Sequence, residues 1–260
     1  MPGSRVAQRL FSLALLLLLP GRAGAAGSGE PDVSSYRDEL PPVTRVYVEA
    51  EERARYDELL AEFGDNKELP EGYELQALLA LSHYPELRDV RIRFVQADVR
   101  IPISSRPRPI SSFRRADRRL YLVVIDTARP ESADGAPAGD GVSDDGRGAL
   151  LLRNQPFSAQ VGILGHELAH TASYLHRTTI GVVGDALCQL SDSCREEFER
   201  ATDRRLIEHG LGWQRYDHSV FVRKSFAAAR GEAYDPTETG GGGAYMSPAR
   251  ILELMRRAGM

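Results

Sequence analysis

Cysteine is scarce in this sequence: Cys188 and Cys194 are the two in 260 residues. Two thiols cannot build a four-cysteine structural zinc module, and their spacing is not the C-x-x-C of a redox pair. Long apolar runs are missing as well. The one at Leu10 to Leu19 is about half of the ~20 residues that span a bilayer, so no transmembrane segment is expected in the mature chain. Positive charge is not in excess either. The net charge is −4 and falls to −7 once Arg5, Arg9 and Arg22 are removed with residues 1–25, which speaks against a nucleic-acid partner. The aspartates of the Gly-, Ala- and Pro-rich stretch 127–148 do not follow the D-x-[DN]-x-[DN]-G calcium pattern, so that stretch reads as a long loop without a metal.

What is present starts with an address. Arg5 and Arg9 precede the apolar run, and Ala23-Gly24-Ala25 offers small residues for cleavage, so residues 1–25 read as a secretory signal peptide. No cysteine stands there to carry a lipid. The expected product is periplasmic or secreted, and in an oxidising compartment Cys188 and Cys194 are expected to form a disulfide. Residues 26–42, rich in Gly, Ser, Pro and acids, read as a flexible lead-in, and 43–260 as a single domain.

Periodicity predicts helices over Ala50–Phe63 and Tyr73–His83. Alternation of Val90, Ile92 and Phe94 with arginines, and of Val99, Ile101 and Ile103, predicts two half-buried strands. Leu120–Ile125 predicts a more buried one. Ten arginines lie between Arg88 and Arg119; most fall on outward strand positions or in the bend Arg106-Pro107-Arg108-Pro109, which favours a solvated face over a specific anionic partner. Ala149–Asn154 reads as a short apolar edge strand able to pair with an extended substrate. Pro156 then opens a helix. Ser247-Pro248 caps a last amphipathic helix through Ile251, Leu252 and Met255.

On the helix after Pro156 lies His166-Glu167-Leu168-Ala169-His170. Residues four apart differ by about 40° around a helix, so His166 and His170 can hold one ion while Glu167 reaches a water on it. Apolar neighbours Val161, Ile163, Leu164 and Leu168 make this helix a buried one. The H-E-x-x-H pattern resembles zinc hydrolases, in which the ion acidifies a water and the glutamate takes its proton. Glu167 is therefore the expected general base, with one Zn²⁺ as cofactor.

A catalytic zinc takes a third protein ligand, and two candidates stand open. His176 completes the metzincin spacing H-E-x-x-H-x-x-G-x-x-H, except that Ser173 replaces its glycine. If the helix continues through Leu175, His176 lies about 80° away in projection and nearly three turns along, out of reach. Glu199 is the other, on a helix signalled by a Ser193/Glu196 capping box and stopped by Gly210. Glu199 and Asp203 share a face, and this E-x-x-x-D pair after H-E-x-x-H resembles the gluzincins, the thermolysin-like zinc peptidases. The stretch from Phe198 through Gly210-Leu211-Gly212 also looks like exported bacterial proteins with this motif.

The resemblance spans about Asn154 to Gly212 and implies a zincin-like α+β fold, with a small mixed or antiparallel sheet beside the active-site helix. It implies Glu199 as zinc ligand and Asp203 as acceptor from a ligand histidine. The segment between His170 and Glu199 is longer than in thermolysin, so Thr178–Gly184 and the cysteine ring are expected to form an excursion of their own. Asp185, Glu196, Glu197 and Glu208 are the alternative carboxylates. Gluzincins add a donor for the oxyanion, for which Tyr245, His218, His209 and Tyr234 are all eligible and Tyr245 is favoured because Gly240–Gly243 precedes it. The expected function is peptide-bond hydrolysis on a peptide or protein substrate. The rival is a non-catalytic exported zinc protein with a structural or interaction role at the envelope.

Overall fold

A computed structural model describes residues 46–99, 102–127, 147–235 and 245–260. The expected signal peptide, the lead-in, nearly all of the 127–148 loop and Gly240–Gly243 lie outside them. The architecture is α+β: helices assembled on one small mixed sheet.

Helical segments α1 (Glu49–Glu52) and α2 (Tyr56–Phe63), joined by a 3-10 turn, fill the predicted Ala50–Phe63 span, and α3 (Glu74–Leu81) fills the second. The sheet contains β1 (Lys67–Glu68), β2 (Arg91–Ala97), β3 (Ile103–Pro107) and β4 (Leu120–Asp126) in the order β1-β2-β4-β3. β1 and β4 run parallel to β2, whereas β3 is antiparallel to β4. β4 is flanked on both sides, and this is why Leu120–Asp126 is almost wholly buried and apolar. The second predicted strand starts at Ile103 rather than Val99, and it takes in Arg106 and Pro107 from the expected bend. Pro107, which has no N–H, is tolerated because β3 is an edge strand.

The expected strand Ala149–Asn154 is not one. It forms two 3-10 turns, Arg147–Leu150 and Leu152–Asn154. Side-chain amides explain the difference: Asn154 Nδ2 donates to the Gly148 carbonyl at 2.9 Å, and Gln160 Nε2 donates to that of Leu152 at 3.0 Å. These bonds curl an apolar run that would otherwise suit a strand.

The centre of the molecule is α4 (Phe157–Leu175), buried at every position from Ser158 to Ser173. Its neighbours are α3, the edge strand β3, α6 (Asp192–Glu208) and α7 (Gly212–Ala229). A Cβ at Gly162 would lie 2.2 Å from the Gln214 carbonyl oxygen, so glycine there sets how closely α7 approaches. Gln76 Nε2 donates to Gln160 Oε1 at 2.7 Å and Tyr84 Oη to the Gly165 carbonyl at 2.8 Å, which fixes α4 against α3. Between α4 and α6 runs α5 (Thr179–Cys188), and α8 (Pro248–Arg257) closes the chain with Ser247 capping the Arg250 N–H.

α6 begins two residues earlier than the capping-box reading requires. Ser191 occupies the cap position without a side-chain bond to the backbone, and Glu196 pairs with Arg200 instead of reaching back. The Cys188–Cys194 disulfide joins the end of α5 to the first turn of α6 and fixes this entry. Gly210, at φ +84°, ends the helix as expected.

Candidate metal centre

Three donor atoms from two helices converge. His166 Nε2 and His170 Nε2, one turn apart on α4, lie 3.2 Å from each other, and Glu199 Oε2 on α6 lies 3.0 Å from the first and 3.3 Å from the second. All three residues are buried. α6 delivers Glu199 because its buried stripe, Glu199, Thr202, Asp203, Leu206 and Ile207, repeats at helical spacing and faces α4.

Each imidazole is held in one tautomer from behind. His166 Nδ1 donates to Asp203 Oδ1 at 2.8 Å. Thr202 Oγ1 already donates to the Phe198 carbonyl at 3.0 Å, so at 3.2 Å it accepts from His170 Nδ1. Phe198 also stacks on the His170 ring. Both Nε2 atoms thus point inward beside a carboxylate oxygen, and three electronegative atoms this close repel unless a proton or a metal cation lies among them. Four ligands about 2.0–2.1 Å from a tetrahedral zinc stand roughly 3.3 Å apart. The observed separations fit that triangle, so His166, His170 and Glu199 fit a metal ion.

The electrostatics agree. Burial lowers the proton affinity of His166, but its bonds to Asp203 and Glu199 outweigh this and bring the pKa to about 9. Burial alone would raise the pKa of Glu199, yet the two imidazoles hold it well below the usual carboxylate range. The same pull that binds a proton among these groups binds a metal cation, and the two compete. Glu167, also buried, belongs to the same His-Glu-His cluster of potential donors. Its Oε2 has no hydrogen-bond partner among the described residues, and burial raises its pKa against the opposing pull of both histidines. It is a carboxylate of raised basicity with a free oxygen beside the converging donors.

Sequence reasoning missed what holds Asp203. Arg215, on α7 and almost fully buried, donates through Nε to Asp203 Oδ1 at 2.7 Å and through Nη2 to Oδ2 at 3.3 Å. The Met246 N–H adds a bond to Oδ2 at 3.1 Å. With four donors in all, Asp203 stays ionised despite burial, chiefly through Arg215. Nothing in the spacing of α7 marks Arg215, since a helical arginine ordinarily lies in solvent; its role appears only when Asp203 faces it. Ser105 of β3, which hydrogen-bonds to Thr171 of α4 at 2.7 Å, was equally unmarked.

The remaining candidates separate cleanly. α4 does continue to Leu175, and His176 is an exposed residue at its C-cap, away from the cluster. Asp185 pairs with Arg177. Of the possible oxyanion donors, Tyr245 meets His166 edge-on with centroids 5.6 Å apart and has the Arg215 guanidinium over its ring. His209 is engaged elsewhere, stacked on Tyr84 and bonded to Glu86. Tyr234 lies under Lys224. His218 is kept neutral by burial and then by Arg215, with Nδ1 donating to Gln155 Oε1 at 2.8 Å.

No protein-family model, curated protein or solved structure matches the chain. Among the described residues no helix is long and apolar enough to cross a membrane, and the disulfide is compatible with an exported protein.

Proposed function

We propose that this protein is a zinc-dependent hydrolase of the gluzincin kind, a metallopeptidase with a zincin-like fold. The observation that carries the reading is the triangle of His166, His170 and Glu199 donors, with its edges of 3.0 to 3.3 Å. When bound there, zinc would polarise the scissile carbonyl and acidify a water. Glu167, whose Oε2 has no hydrogen-bond partner among the described residues, would accept a proton from the attacking water and return it to the leaving amine. Asp203 and Arg215 hold His166 in register, and Tyr245, edge-on to His166, is the candidate placed to donate to a developing oxyanion. β3, an edge strand packed on α4, takes over from Ala149–Asn154 as the place where an extended peptide would pair.

Metal analysis of the purified mature chain, followed by cleavage of a peptide library beside the Glu167→Gln variant, tests this. The expected outcome is zinc in both proteins and a rate lower by about 10²–10⁴-fold in the variant. An unchanged rate removes Glu167 as base. Loss of zinc from the variant would make Glu167 a fourth ligand and the site a closed structural one.

A further inference from the structure

α5 departs from the rule that an apolar helix is a buried one. Its sequence, Thr-Ile-Gly-Val-Val-Gly-Asp-Ala-Leu-Cys, carries a single charge, yet none of its residues is buried. Ile180, Val183 and Leu187, all exposed, fall within about 60° of one another around the helix. Leu190 is exposed in the turn that follows. The helix is held by polar and covalent ties instead of a core: Thr179 Oγ1 donates to the Ser112 carbonyl at 2.8 Å, Arg177 pairs with Asp185, and the disulfide anchors its end.

The Thr179 bond fastens α5 to a 3-10 turn, Pro109–Phe113, that exposes two more large apolar side chains, Ile110 and Phe113, the latter 83% accessible. Ile110 also lines a hollow of about 250 Å³ whose charged lining is Arg91, Arg108, Arg114 and Arg118, without a carboxylate. None of these four guanidiniums has an ion-pair partner among the described residues, whereas Arg88, Arg93 and Arg115 nearby are each paired. Six exposed apolar side chains thus lie on two elements tied together by the Thr179 bond, one of which borders four cations that are unpaired among the described residues.

We propose that this face docks on an anionic phospholipid surface. Charge complementarity selects the occupant. The arginines match headgroup phosphates, and single protruding Ile, Leu and Phe side chains suit insertion at the acyl boundary. The inference does not rest on the metal centre, because neither α5 nor the arginine hollow supplies a donor to it.

Co-sedimentation of the full mature chain with vesicles tests it, using equimolar phosphatidylglycerol and phosphatidylcholine against phosphatidylcholine alone. Binding is expected to the anionic vesicles and to weaken with added salt. Arg114→Gln and Arg118→Gln should each reduce it about five-fold, and Ile180→Ser with Leu187→Ser by more than about ten-fold. These positions are exposed, and circular dichroism verifies that each variant is folded. The idea is overturned if the wild-type chain ignores anionic vesicles, or if the Ile180→Ser/Leu187→Ser variant binds them as well as wild type. It is also overturned if sedimentation shows a dimer that the same substitutions dissociate, since the occupant would then be a second copy.

Discussion

At the scale of single residues, one carboxylate behind the ligands holds the centre in register. Asp203 accepts from His166, from Arg215 twice and from the Met246 N–H, so its charge is fully compensated and its position fixed. Asp203→Asn keeps the shape but replaces one acceptor oxygen with a donor that must face Arg215 or His166. Zinc affinity, measured by competition with a chromophoric chelator, is expected to fall about 10–100-fold without being abolished. Arg215→Met acts differently, because it leaves the buried Asp203 charge without its main partner. The expected result is a loss of about 3–5 kcal/mol in denaturant unfolding, a larger effect than any surface arginine would give. Tyr245→Phe separates a transition-state role from a packing one. The ring and its contact with His166 remain, so zinc content and KM should hold while kcat falls about 10²–10³-fold. A fall in zinc content alone would assign Tyr245 to packing.

At the scale of elements, the site is where it is because α7 can lie close on α4. A Cβ on Gly162 would meet the Gln214 carbonyl oxygen at 2.2 Å, its carbon at 2.4 Å and the Arg215 nitrogen at 2.9 Å, all of them backbone. Gly162→Ala must therefore push back the first turn of α7, and Arg215 moves with it. A loss of about 1–3 kcal/mol is expected from overpacking, together with weaker zinc binding that a merely local strain would not produce. Gly184→Ala is the matching control. Nothing lies within 4 Å of its added Cβ, and a helix interior gains about 0.5–1 kcal/mol from alanine. Comparing the two melting curves in the presence and absence of chelator distinguishes closure of the site from general helix stability.

Much of this arrangement was legible in the sequence wherever the decisive contacts are local. His166, Glu167 and His170 are neighbours on one turn, and the Glu199/Asp203 stripe repeats at helical spacing, so both faces could be read without the fold. The helices over residues 50–63 and 73–83 and the strand from Leu120 followed from periodicity in the same way. Ala149–Asn154 failed because an apolar run suits a strand or a turn equally, and the choice was made by the amides of Asn154 and Gln160. Arg215 could not be read because its burial depends on a carboxylate on another helix. Of β3 only Ile103 fell in the expected strand, because Arg106 and Pro107 read as a bend, and its place at the edge beside α4 is a property of the sheet order.

For the whole molecule, the ion would be a cross-link. His166 and His170 belong to the central helix, whereas Glu199 belongs to a helix reached through α5 and the disulfide, so the donors can converge only in the folded chain. A ligand that binds the native state alone stabilises it by about 4 kcal/mol when its concentration is a thousand times Kd. For a chain of this size, each 1 kcal/mol moves the melting temperature by about 2–4 °C. Chelation should therefore lower it by roughly 8–16 °C, and added zinc should restore it. Reduction of the Cys188–Cys194 bond makes a useful comparison, because a ring this small constrains the unfolded chain by only about 2 kcal/mol. Calorimetry of the mature chain with chelator, with reductant and with both should give the larger shift for the chelator. The two shifts should also add, since the disulfide acts on the unfolded chain and the ion on the native one. Equal melting temperatures with and without chelator would mean that the three converging donors hold no ion in solution.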